Sequence, residues 1–372
     1  MKKNVCVFCA TPFQIFNAIV LKNDKWMNDE VNIYLLDYFK EAENYVNNLK
    51  NSKMFNEVRF IKTNYIYRNC TTVREGKKEI RFICDKLGTW LYRFKYYSEY
   101  KSIVEKNNIL IKEGSEIIYS FNDPLEKIIN IYCNKMRYIV SFYGYEDGIA
   151  NYYNTQYTKR ELIDKLFGVS YNVFKKELYY LYNPKLALDE DVFIKKINLE
   201  KNKVKDLVNK VFGYKKEWKI DESIIFFDGA PEQDNLYSEI IKIFSKLIKE
   251  GEQIVCKKHP RRKDMMYEDT GIKIYEHQSI PFEVCCLNED LSNKILISFF
   301  SSACINPKNI FDQEPEIILL YKLMEKIDIE FQEKNDMIDR LKKLYRNPEK
   351  IHVPESLKDF EETIKKIINK KR

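Results

Sequence analysis

The chain has 372 residues, 45% of them hydrophobic and 32% charged, with 63 Lys and Arg against 56 Asp and Glu for a formal net charge of +7. That length suffices for two domains with separate cores, and the composition is that of a soluble globular protein. The positive excess is modest and dispersed, which fits an anionic substrate or an acidic membrane surface and argues against DNA.

In chain order, residues 4–9 read as a strand, 12–21 as a helix, 31–36 as a strand and 39–51 as a helix, followed by strands at 57–61, 116–120 and 137–142. The alternation predicts a parallel, doubly wound sheet. The aromatic stretch with Trp90, Tyr92, Phe94, Tyr96 and Tyr97 is expected to cover one end of that sheet. Residues 158–219 change to helices with long polar faces. Leu162, Ile163, Leu166 and Phe167 fall at helical spacing, and Asn183-Pro184 should end a second helix. A second α/β pattern starts at Ser223, with strands at 223–227, 253–256, 295–299 and 316–320. The helix after Pro231 puts Leu236, Ile240, Phe244, Leu247 and Ile248 on one face, and Gly251 closes it. Amphipathic helices around 336–345 and 357–371 complete the chain. The expected fold is α/β, with two Rossmann-like domains facing across a cleft: 1–155 on the amino side, a helical connector at 156–220, and 221–372 on the carboxyl side.

Nine cysteines without regular spacing argue for free thiols in a reducing compartment. Cys6 and Cys9 lie three apart in the first strand, on opposite faces, which suits neither a disulfide nor a zinc pair. The start has no signal-peptide pattern, and no run approaches the roughly 20 apolar residues of a spanning helix. A cytoplasmic protein is expected, able to sit on the inner face of the membrane.

The chemistry concentrates where strands end. His259, one of only three histidines, follows a strand inside Lys257-Lys258-His259-Pro260-Arg261-Arg262. The flanking cations should depress its pKa until an anion binds, whereupon the imidazolium can donate a proton to a leaving group. Glu232 and Asp234, after the strand that runs into Asp228-Gly229-Ala230-Pro231, are candidate general bases, although first-turn carboxylates also serve the helix dipole. Ser301 and Ser302 follow a buried strand and should open a short helical turn limited by Pro307, where N–H groups and hydroxyls can hold a phosphate or simply cap the turn. Glu146-Asp147-Gly148 ends a strand of the first domain and suits acceptor recognition, proton removal or an ordinary turn. The chain has neither a G-x-G-x-x-G nor a Walker pattern. Asp189-Glu190-Asp191 reads as a solvated acidic turn, and with no His/Cys cluster the expected mechanism needs no metal.

In this order the motifs resemble those of bacterial sialyltransferases of the GT-B fold, most closely glycosyltransferase family 52, which includes lipooligosaccharide α-2,3-sialyltransferases and related capsule enzymes. The carriers are Cys6 through Gln14 with its Thr11-Pro12 turn, Glu146-Asp147-Gly148, Gly229-Ala230-Pro231-Glu232, His259-Pro260-Arg261 and Phe299-Phe300-Ser301-Ser302-Ala303. The resemblance implies inverting, metal-independent transfer of sialic acid from CMP-sialic acid to a galactose-type hydroxyl. Glu232 would take the acceptor proton and His259 would assist departure of CMP. Ser301 and Ser302 would hold its phosphate, while Gly229, Pro231, Lys258, Pro260, Arg261 and Phe300 would line the donor pocket. Thr11, Gln14 and Gly148 would belong to the substrate site, and Asp234, Glu146 and Asp147 stay rival bases or acceptor contacts. The family has Asp where this chain has Glu232. It also implies a homodimer through the connector and a nucleotide-sugar donor with a glycan acceptor; no cofactor and no nucleic acid are expected. The alternatives are the same fold using another nucleotide sugar and a non-catalytic glycan-binding protein. The last segment, Ile364 to Arg372, is a candidate membrane-surface contact, or else a helix packed against the first domain.

Overall fold

The computed structural model describes residues 2–39, 41–62, 104–120, 129, 132–133, 136–153, 178–188, 193–229, 234–259, 267–324 and 329–372. They form two compact units that are discontinuous in sequence. The first comprises Met1–Asp147, Thr155–Leu181 and Asp191–Phe212; the second comprises Gly148–Asn154, Tyr182–Glu190 and Gly213–Arg372. The expected boundaries at 155 and 220 are therefore replaced by several crossings.

Among the described residues the first unit is built on a parallel sheet of seven strands: β1 (Asn4–Cys9), β2 (Glu30–Leu36), β3 (Glu57–Ile61), β4 (Glu116–Tyr119), β5 (Ser141–Tyr145), β6 (Leu178–Leu181) and β7 (Ile194–Lys196), in the order β3-β2-β1-β4-β5-β6-β7. β1, β4 and β6 are buried throughout, as expected of strands covered on both faces. α1 (Pro12–Asp24) begins with Thr11 as N-cap and proline at its first position, a favourable pairing because proline has no N–H to leave unpaired. α2 (Ala42–Ser52) follows β2.

Two expectations change here. β5 begins four residues further along than predicted, after Arg137 at a left-handed φ of 56°, in register with β4 and with Gly144 against Tyr179 of β6. Within the residues expected to be a helical connector, Leu178-Tyr179-Tyr180-Leu181 instead forms a buried strand against β5, with β7 beside it. A four-residue apolar run carries no period that separates strand from helix, and two tyrosines suit a pleated surface. Among the described residues of this stretch an α-helix, α4 (Lys201–Phe212), belongs to the first unit, where Asn48 of α2 donates to the Val211 carbonyl. Leu162 to Phe167, the acidic run 189–191 and the aromatics 90–97 lie outside the described residues.

The second unit carries β8 (Ile224–Phe227), β9 (Ile254–Lys257), β10 (Lys273–Ile274), β11 (Ile295–Ser298), β12 (Glu316–Leu319) and β13 (Ile351–His352), all parallel in the order β10-β9-β8-β11-β12-β13. Renumbered from its own first strand, this is 3-2-1-4-5-6, the doubly wound dinucleotide-fold order. Its helices are the short α3 (Ala150–Tyr153), then α5 (Asp234–Lys249), α6 (Phe282–Asn288), α7 (Ser302–Phe311), α8 (Ile329–Leu344) and α9 (Leu357–Lys371). α5 ends as predicted. Gly251 takes φ +98°, and the N–H groups of Gly251 and Glu252 return to the carbonyls of Ile248 and Leu247.

Pro307 does not limit α7; it sits inside a ten-residue helix. The bond and steric penalty of about 3 kcal/mol is outweighed by burial of Cys304, Ile305, Asn306, Asn309 and Phe311. Asn309 is further held by the Tyr152 hydroxyl at 2.9 Å. α9 matches its predicted bounds, but Phe360, Ile364, Ile367 and Ile368 are packed into the core of the second unit. Its apolar face is therefore occupied within its own unit, which corrects the expectation of packing against the first domain. Among the described residues no helix is long and apolar enough to cross a membrane. The seven described cysteines are free and buried, with Cys6 against the Leu110 carbonyl and Cys9 against the Tyr145 hydroxyl.

Candidate active site

In a doubly wound sheet, ligands bind beyond the carboxyl ends of the strands where the strand order reverses. In the second unit that point lies between β8 and β11. Register pairs Lys257 with Phe227, Phe227 with Ser298, and Ser298 with Leu319, so four strands end in one row. Just past it stand Lys258 and His259 after β9, Asp228 and Gly229 after β8, and Ser301 and Ser302 after β11.

Each loop is fixed by identifiable contacts. The Asp228 N–H donates to the Lys257 carbonyl at 3.1 Å, joining the β8 and β9 exits. The Gly229 N–H donates to the Tyr237 hydroxyl at 2.7 Å. A Cβ on Gly229 would lie 2.6 Å from that oxygen, so glycine is required by close approach and not by backbone conformation. The Ser301 N–H donates to Ser298 Oγ at 3.0 Å, while its own Oγ accepts from the Ala303 N–H at 3.2 Å. Ser301 is thus the N-cap of α7, and Ser302 opens the helix. Gly148, with φ +127°, lies in the same unit, where a Cβ on it would stand 3.5 Å from Ser302 Oγ. Gly148 of the second motif and Ser302 of the fifth are thereby brought together.

Lys258 and His259 are half-buried. The other two histidines are engaged elsewhere: His277 stacks on Trp218 with ring centroids 3.7 Å apart, and His352 Nε2 lies 2.9 Å from Glu316 Oε2. Phe300 meets Tyr321 edge-on at 5.1 Å and lies under the Lys334 ammonium. Asp234 is the first residue of α5. Glu232, Pro231, Pro260 and Arg261 lie outside the described residues.

In the first unit the side chains at the β1 and β5 exits hold one another. Thr11 Oγ1 accepts from the Gln14 N–H at 3.2 Å and donates to Asp147 Oδ1 at 3.4 Å. Gln14 is only 2% exposed and its Oε1 accepts from the Ala10 N–H, so it shapes the turn and is closed off from a ligand in this structure. Asn17 donates to the Glu146 carbonyl at 2.7 Å, and the Tyr145 hydroxyl donates to the Phe8 carbonyl at 2.8 Å. Glu146 is fully buried while Asp147 is half-buried, which makes Asp147 the more accessible of the two rival carboxylates.

Sequence reasoning counted Lys257 only among the cations around His259, whereas the structure turns its ammonium inward. Lys257 donates from Nζ to the Gln278 carbonyl at 2.9 Å beside the Tyr275 ring. Burial lowers its pKa to about 8 against the opposing pull of Cys285 and Glu283. Glu283, itself buried, accepts from Asn306 Nδ2 at 2.6 Å, and burial raises its pKa. Nothing in the local sequence marks Glu283 or Asn306, which lie 23 residues apart on α6 and α7. Among the described residues no three His, Cys, Asp or Glu side chains form a metal-binding group.

Comparisons with known proteins agree with this architecture. No curated protein is similar enough to match. A spinosyn rhamnosyltransferase solved with thymidine diphosphate is 9% identical, with 99% of this chain and 92% of that one covered at a TM-score of 0.52. A sialyltransferase from Photobacterium damselae, over the residues corresponding to its GT-B domain, is 16% identical, with 95% and 100% covered at a TM-score of 0.50. A calicheamicin glycosyltransferase is 10% identical, with 99% and 90% covered at 0.50. At such identities the likeness establishes the fold, which is GT-B. The model of glycosyltransferase family 52 matches residues 78–320, well over half the chain, and the chain therefore belongs to that family.

Proposed function

We propose that this glycosyltransferase is an inverting, metal-independent sialyltransferase that moves sialic acid from CMP-sialic acid to a galactose-type hydroxyl of a bacterial surface glycan. The observation that carries the reading is the single row at the carboxyl edge of the second unit, which sets His259, the Asp228-Gly229 turn and the Ser301-Ser302 helix start on adjacent strand ends. Glu232 takes the proton of the acceptor hydroxyl, whose oxygen attacks the anomeric carbon. The bond from that carbon to the phosphate oxygen breaks, and His259 donates a proton to the departing CMP. The start of α7 offers N–H groups and the positive end of a ten-residue helix to the phosphate, with the Ser302 hydroxyl beside them. Gly229, Pro231, Lys258, Pro260, Arg261 and Phe300 line the donor pocket. Asp234 and Asp147 are the rival bases, and Thr11 supports Asp147 through its hydrogen bond. We further propose a homodimer acting in the cytoplasm, at the inner face of the membrane where a lipid-linked acceptor would be met.

The test is CMP release from CMP-sialic acid, with and without lactose, for wild type and His259→Ala in EDTA. Acceptor-stimulated release that survives EDTA and falls by about 10²–10⁴ in the variant is expected. No release with any galactoside would point to another nucleotide sugar. Loss in EDTA restored by a divalent cation would refute metal independence, and a fully active variant would remove His259 from the acid role.

A further inference from the structure

The residues that follow Glu146-Asp147 are tied to α7 at two points, both within the second unit. At the first, Gly148 stands against Ser302, where a Cβ on the glycine would lie 3.5 Å from Ser302 Oγ. At the second, the Asn309 side-chain amide donates to the Tyr152 hydroxyl at 2.9 Å, with both residues buried. Ser302 and Asn309 are just short of two helical turns apart, which puts them on one face of α7 with about 10 Å between them. The chain from Gly148 to Tyr152 therefore runs along that face. It is a tight turn, since the N–H groups of Asn151 and Tyr152 return to the carbonyls of Gly148 and Ile149 at 3.2 and 3.0 Å. Tyr152 is also held by a third segment. Its hydroxyl accepts from the Asn183 N–H at 3.4 Å, and its carbonyl accepts from the Leu188 N–H at 2.8 Å. The Ala187 carbonyl in turn takes the Arg340 guanidinium of α8.

The proposed reaction uses neither Tyr152 nor Asn309. Apolar packing at this position would leave the segment able to slide along α7. A hydrogen bond weakens steeply out of line, so the phenol–amide bond fixes the register. We propose that Tyr152 and Asn309 are positioning residues for the donor phosphate. Their bond sets where Gly148 stands along α7, and Gly148 confines the Ser302 hydroxyl beside the helix start. Glycine suits that place twice over, because its φ is +127° and any side chain would enter the space in front of Ser302 Oγ. The inference rests on the reading of the α7 start as the phosphate seat, and gives that seat a second wall, built from the residues after Asp147.

Tyr152→Phe keeps the ring and removes the hydroxyl, while Asn309→Leu removes the amide at similar volume. The readout is the affinity of each folded protein for CMP and for cytidine, measured by titration calorimetry. A general loss of structure weakens both ligands, whereas a displaced phosphate seat weakens CMP alone. In Tyr152→Phe the CMP affinity is expected to fall about threefold to tenfold with cytidine within about twofold of wild type. Gly148→Ala should act in the same direction, and adding Tyr152→Phe to it should cost less than in wild type, because both changes disturb one contact. An unchanged CMP-to-cytidine ratio in folded Tyr152→Phe overturns the proposal, and Asn309→Leu decides the matter if that variant does not fold. If wild type binds UDP in preference to CMP, the sialyltransferase reading fails, and the UDP-to-uridine ratio decides the positioning role in the same way. Wild-type protein that binds none of these nucleotides has no phosphate seat at α7, which overturns both readings.

Discussion

Gly229→Ala is a sharp probe of how the site edge is built. An alanine Cβ there falls 2.6 Å from the Tyr237 hydroxyl oxygen, with Phe299 Cδ2 next at 3.8 Å and Tyr237 Cζ at 3.9 Å. The ring cannot swing away easily: Tyr237 is 2% exposed and packed against Phe299 at 4.9 Å and Phe226 at 6.3 Å. Relief has to come from moving the ring or the turn, which also breaks the part-buried Gly229 N–H bond. Overpacking at about 1–3 kcal/mol plus a lost bond at about 1 kcal/mol predicts a loss of about 2–4 kcal/mol. Tyr237→Phe alone removes only the acceptor and should cost about 1 kcal/mol. Adding Gly229→Ala to it should then cost less than about 1 kcal/mol, because the remaining neighbours stand at ordinary contact distance. Urea denaturation of the four proteins in this double-mutant cycle measures the coupling. An equal cost for Gly229→Ala in both backgrounds would refute the steric argument.

Gly144→Ala should destabilise the first unit by about 1–3 kcal/mol, since its Cβ would lie 2.3 Å from Tyr179 Cε1 on the paired strand; thermal unfolding reads the loss, and a neutral result would contradict the packing. Glu314 is pushed up by burial, but Lys308, the Arg346 N–H and the Arg346 guanidinium outweigh that and hold its pKa at about 2. A depressed carboxylate contributes stability above its unfolded pKa and loses it as pH falls towards the folded value. Wild type should therefore lose stability relative to Glu314→Gln between pH about 4.5 and about 2, checked by denaturation midpoints across that range. Lys257 gives the same direction of pH dependence in a different window, although here it is the charged form that burial penalises. With its folded pKa lowered to about 8 from 10.5, the unfolded chain holds more protons between those values, so wild type should gain stability relative to Lys257→Met as pH rises through that window. A flat difference would show that Lys257 keeps an ordinary pKa.

The strands and helices with strong periodic or β-branched signals were legible residue by residue. β3 and α9 fall at their predicted bounds, and the turn at Gly251 closes α5 as its composition demanded. The errors share one cause. Leu178-Tyr179-Tyr180-Leu181, Pro307 and the β5 register were decided by partners distant in sequence: β5, the packed face of α7, and the Tyr179 ring over Gly144. The motifs around His259, Gly229 and Ser301 could be picked out because each follows an apolar strand. That Gln14 is buried with its oxygen on the Ala10 N–H, that Thr11 reaches Asp147, and that Glu146 is enclosed while Asp147 is not, could not.

The order of apolar strands, caps and short polar motifs along the chain determined by itself that this is an α/β protein of the GT-B kind, with its chemistry at strand ends, because periodicity and turn residues act within a few positions. The tertiary structure alone decided the strand order that makes β8 and β11 the switch point, the pairing of Gly148 with Ser302, and the burial of Asp228 at the exit of β8. Those depend on which surfaces exclude water together, and residues tens to more than a hundred positions apart meet only once the sheet has closed its register.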